Sequence, residues 1–199
     1  MKKIISHIDF SFEKMNYIAL FILLISIIWA KAFNIVEIKE NTIYENIAIV
    51  PLLTGIVFCI KSKKHKVFFN FTALILFLII AREFSYGRVP FCAIEGTNLH
   101  DFYPWSHYKY GFLANIFVGL YIALSFLYAI LNKIWLDIVE IIKKVPIPFW
   151  NFAFIFLCVL IQEISEHTLE NTVIEEIAEF VIYTLTFIIV FIYYKKLNN

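Results

Sequence analysis

Apolar residues dominate six stretches of the chain, at 16–33, 44–60, 67–81, 112–131, 149–167 and 175–194, with polar and charged residues gathered between them. A helix needs about 20 apolar residues to cross a bilayer core, and these stretches approach that length. The third is short and ends directly at Arg82–Glu83. The fifth opens after Pro146 and Pro148, which suit the start of a helix and damage its interior. The predicted fold is all-α, a polytopic integral membrane bundle of about six transmembrane helices. One transmembrane domain covers residues 1–199.

Two connections carry patterns of their own. In Asn132–Ile147, Ile134, Ile138, Ile141 and Ile142 recur at helical spacing, with Asp137, Glu140, Lys143 and Lys144 elsewhere. This is either a short amphipathic helix at the membrane surface or an extension of the fourth span. The loop at 82–110 holds Phe84, Tyr86, Phe91, Phe102, Tyr103, Trp105, Tyr108 and Tyr110. That density of rings suits the headgroup layer, so the loop is expected to lie on the outer surface, turning sharply at Gly87.

Composition supports the membrane assignment. The chain is 61% hydrophobic with mean hydropathy +0.79, against about 45–50% apolar residues in soluble domains. The N-terminal stretch lacks a signal-peptide pattern, because Asp9 and Glu13 interrupt it and no small-residue cleavage site follows. Cys59, Cys92 and Cys158 form no C-x-x-C motif, and no disulfide framework is expected.

Charge fixes the orientation. With the N-terminus inside, 12 of the 17 basic residues fall on the cytoplasmic side, the KSKKHK run at Lys61–Lys66 foremost, and 5 fall outside. Of the acidic residues only Asp9, Glu13, Asp137 and Glu140 are inside. Both termini are therefore placed in the cytoplasm. The basic residues flank helices, so nucleic acid is not an expected partner. The wealth of Lys, Ile, Asn and Phe matches an AT-rich bacterial genome, which assigns the chain to a bacterial cytoplasmic (inner) membrane.

The chemistry concentrates in Gln162–Glu179. Thr172 and Glu175 form a T-x-x-E capping box, so one helix ends near Glu170 and the next starts at Val173. Glu163, Glu166, His167 and Glu170 share a face of the fifth helix, and Glu176, Glu179 and Tyr183 share a face of the sixth. Ionisable groups at membrane depth are costly and mark functional sites by default.

His100, His107 and His167 lie on the same side as these acids, with Asp101 beside His100. Three imidazoles and a carboxylate are a ligand set for zinc with an open position, where bound water becomes a nucleophile near neutral pH. Glu163 or Glu166 would then act as catalytic base. Arg82, Glu83 and Arg88 mark the outer end of the third span, where Arg82 or Arg88 either pairs with the hairpin acids or grips a lipid phosphate.

The leading expectation is a metal-dependent membrane enzyme acting on a lipid or lipid-linked substrate. The alternatives are a non-catalytic membrane subunit with a protein partner, and a cation- or proton-coupled transporter routed along Glu163, Glu179 and Tyr183.

Overall fold

The computed structural model describes residues 7–12, 14–32, 43–92, 94, 103–165 and 172–198, and these are predominantly helical. In chain order the helices are α1 (Lys14–Ala32), α2 (Ile43–Lys61), α3 (Lys66–Glu83), α4 (Phe112–Leu131), α5 (Ile134–Lys144), α6 (Phe149–Ile164) and α7 (Thr172–Asn198). Short 3-10 turns at Ser85–Gly87 and Trp105–His107 lie between α3 and α4. Each apolar stretch becomes one helix, since Lys, Arg and Pro bound the runs where the sequence changes character. The capping box falls at the first turn of α7.

The centre of the molecule is α7, which packs against α1, α2 and α6. Two layers form around it. On one side Leu52, Cys59, Phe69, Leu76, Tyr183, Val190 and Tyr193 pack together, closed by Ile141 and Val145 at the end of α5. On the other, Ala19 and Cys158 meet Ala178, Val181, Leu185, Ile188 and Ile192. Asn151 and Cys158 of α6 and its C-cap Ser165 are buried at heptad spacing, and Cys158 packs against α7.

Helix α4 is peripheral. It packs on α3, with the Tyr121 hydroxyl donating to the Leu74 carbonyl at 2.9 Å and the Asn70 amide donating to the Tyr128 hydroxyl at 3.3 Å. Its remaining faces carry exposed Phe, Leu and Ile, from Phe112 to Leu131.

The long apolar stretches differ in reach. Of the described helices, α4 and α7 are long and apolar enough to cross a membrane, and the apolar cores of α1, α2 and α6 are shorter. On α3, Lys66, Arg82 and Glu83 place charge at both ends of the apolar run. The α5 segment resolves as a separate helix. Its N-cap, Lys133, has φ 51°, in the left-handed region that α-helical geometry excludes, so α4 cannot run on into it.

The Ile8–Asp9 segment, the last turn of α7 and the lysine-rich loop meet at one end of the bundle. Ile8–Asp9 pairs in parallel with Ile147–Pro148 as a two-residue ribbon, β1 with β2. Lys196 lies 3.6 Å from Asp9, and the Trp150 indole donates to the Phe10 carbonyl at 2.9 Å. At the same end Asn198 Oδ1 accepts from the backbone N–H of Lys63 at 2.9 Å and of Lys64 at 3.2 Å, while its amide donates to the Ser62 hydroxyl at 2.9 Å. The end of α7 is thereby tied to the turn between α2 and α3.

Candidate functional site

At the opposite end of α3 and α7, polar groups from three helices converge. Sixteen residues separate Lys66 from Arg82 on α3, and sixteen separate Glu179 from Lys195 on α7. At 1.5 Å per residue both spacings come to about 24 Å, so antiparallel helices tied at the lysine end bring Arg82 and Glu179 to one level. There the Arg82 guanidinium (Nη2) donates to Glu179 Oε1 in a direct ion pair. Gln162 of α6 donates to the same oxygen at 2.5 Å. The Tyr183 hydroxyl, one helical turn below Glu179, donates to Glu83 Oε1 at 2.6 Å, and Arg82 Nε lies 3.8 Å from that oxygen.

Burial divides the cluster. The side chains of Glu83 and Glu179 are 6% and 8% exposed, whereas that of Arg82 is 54% exposed. Two buried carboxylates therefore share one guanidinium that reaches in from the rim along its aliphatic stem. With both acids ionised, the group carries one negative charge in excess. Buried charges persist where they are paired and hydrogen-bonded, and an excess charge calls for a proton or a cation.

Gln162 sits in this site although its neighbour Glu163 attracts attention in the sequence. The heptad through Asn151, Cys158 and Ser165 turns Gln162 towards α7, and a rotation of about 100° per residue leaves Glu163 exposed. The signal was the buried seam of α6, not the spacing of its acids. On α7, Glu179 and Tyr183 both face inward and Glu176 is partly buried.

The remaining candidates are dispersed. Arg88 Nε donates to the Ser85 carbonyl at 3.4 Å, just beyond the turn at Gly87, where φ is 91°. His107 stacks on Tyr103, with ring centroids 4.2 Å apart and planes 11° apart. Trp105 lies beside Gly87, which seats this turn near the end of α3. His100, Asp101, Glu166, His167 and Glu170 lie outside the described residues, so four of these five, with His107 and Glu163, make up a metal and base set that is described only in part. Among the described residues, the histidine and acidic side chains whose ligand atoms lie within 4.8 Å of one another are a different group, His65, Asp137 and Glu140.

No family model, no curated protein and no solved structure matches the chain.

Proposed function

We propose that this chain is a multi-pass protein of a bacterial cytoplasmic membrane and that its Arg82–Glu83–Gln162–Glu179–Tyr183 cluster binds and releases one proton or cation, as in coupled transport. All six apolar helices α1–α4, α6 and α7 cross the bilayer in this reading, with the lysine-rich end and both termini in the cytoplasm. The outward faces of α1, α2, α4 and α6 support it. Phe21, Ile28, Val50, Ile60, Phe117, Leu131 and Phe156 are all at least half exposed, an accumulation of outward-facing large apolar side chains that suits lipid better than water. Lipid gives such side chains no reason to pack inward.

One observation carries the assignment of the site: two buried carboxylates meet one guanidinium, leaving a single charge to be balanced. Among the described residues the acids also take their hydrogen bonds through Oε1, and Oε2 of each is available to the balancing proton or cation. Three helices contribute, so occupancy of the site is felt by α3, α6 and α7 together. Proton, sodium and potassium gradients imposed in turn on proteoliposomes test the reading. Flux of one cation is expected, and Glu179→Gln is expected to abolish it. Flux identical in wild type and variant, or absent for all three ions, overturns it.

A metal-dependent enzyme acting on a lipid or lipid-linked substrate is the second reading, with zinc held by His100, His107, His167 and Asp101 and with Glu163 or Glu166 as base. The contact of Trp105 with Gly87 favours it, because that contact brings the His107 turn to the same end of the bundle as the acidic cluster. This reading requires stoichiometric metal in the purified protein that His107→Ala depletes.

A further inference from the structure

The cytoplasmic end of α3 holds a second constellation, remote from the acidic cluster and independent of the function proposed for it. His65 is the N-cap of α3 and sits at φ 49°, ψ 46°, in the left-handed region. Its side chain is 9% exposed and faces α5, where Asp137 and Glu140 lie three residues apart on one face. A ligand atom from each of the three residues lies within 4.8 Å of the others.

The distances have a chemical meaning. His65 Nδ1 is 3.6 Å from Asp137 Oδ1, too long for the hydrogen bond the pair would otherwise make. It is close to the ~3.3 Å that separates two ligand atoms bound at about 2.0 Å to one tetrahedral ion. Asp137 Oδ2 is meanwhile engaged by the Phe68 N–H at 3.3 Å, which fixes the carboxylate and leaves Oδ1 directed at the imidazole. Support of this kind orients ligating carboxylates. Glu140 is held differently. Its Oε1 accepts from Lys144 at 2.5 Å, and that contact keeps its carboxyl below the ordinary range.

We propose that His65, Asp137 and Glu140 form a binding site for a zinc-like divalent ion that clamps the amphipathic helix α5 to the first turn of α3. One imidazole nitrogen and two carboxylates select a borderline ion such as zinc over the all-oxygen preference of magnesium or calcium. Three protein ligands leave a fourth position for water or an external donor. The surrounding lysines, Lys66, Lys143 and Lys144 among them, oppose the ion's charge, and Lys144 competes with it directly for Glu140. That competition is the distinguishing feature of the site, because removing a nearby positive charge should then improve metal binding.

The test is competition with a chromophoric zinc indicator, using the full chain in detergent micelles, with cobalt spectra reporting the ligand geometry. One zinc per chain is expected. His65→Ala and Asp137→Asn should each weaken binding by at least about tenfold, and Lys144→Gln should tighten it. Zinc binding that is absent in wild type, indifferent to His65→Ala, or weakened by Lys144→Gln overturns the proposal. Because Lys144 is exposed and its removal leaves the packing of α5 intact, that variant keeps the test decisive if His65→Ala fails to fold. A stoichiometric zinc lost instead in His107→Ala places the metal at the other end of the bundle and also overturns it.

Discussion

Arg82 compensates two acids at once, so its loss should cost more than an ordinary surface ion pair. Exposed pairs contribute about 0–1 kcal/mol, whereas stranding a buried charge costs several. For Arg82, half exposed over buried partners, Arg82→Ala is expected to destabilise by about 1–3 kcal/mol. Glu179→Gln in the same chain should recover part of that loss, because it removes the stranded charge. A double-mutant cycle of thermal unfolding in detergent measures this, and strict additivity of the two changes would show that the pair is not coupled. At this scale the sequence was partly legible. Glu179 and Tyr183 stand four apart on a face that runs from acids into the apolar half of α7, and Arg82–Glu83 end a span abruptly. Gln162 was hidden because a carboxylate stands beside it, and the helix phase that turns one inward and the other outward is set by Asn151 and Cys158, several turns away. His65 falls in the lysine-rich run and Asp137 in the amphipathic segment, and nothing in sequence announces that α5 folds back over the start of α3.

The helices themselves follow from composition to within a few residues, as apolar runs bounded by Lys, Arg and Pro must. What composition does not encode is how they pack. Nothing in α7 marks it as the central helix except its length, and its run to Asn198 is fixed by the clasp on Ser62, Lys63 and Lys64. The α4–α5 boundary depends on one backbone conformation at Lys133, which the spacing of the isoleucines does not specify. The start of α4 depends on another residue that carries no obvious pattern. A Cβ built on Gly111 would lie 1.6 Å from the Trp105 carbonyl oxygen, so only glycine allows the aromatic turn to close over the helix N-terminus. Gly111→Ala is expected to destabilise by about 1–3 kcal/mol, as overpacking against rigid backbone does. Hydrogen exchange should show the opening confined to the Trp105–His107 turn and the first turn of α4, and unchanged protection there would contradict the contact.

For the whole molecule, two ends of different character are joined by helices whose outer faces are apolar. One end gathers Ile8–Asp9, the last turn of α7, the Lys61–Lys66 loop and α5, and the other gathers the aromatic turns and the acidic cluster. A polar site made by three helices at one end, with fastenings at the other, suits a bundle that changes its packing around a bound ion while its base stays together. Infrared difference spectroscopy of the purified protein, recorded as protons or sodium ions are added in a buffer of bulky quaternary ammonium, reads the cluster directly. A carboxyl band that responds to one of these ions, and that disappears in both Glu83→Gln and Glu179→Gln, is the expected result. Spectra in which wild type and both variants respond identically would contradict a bound proton or cation at the shared guanidinium.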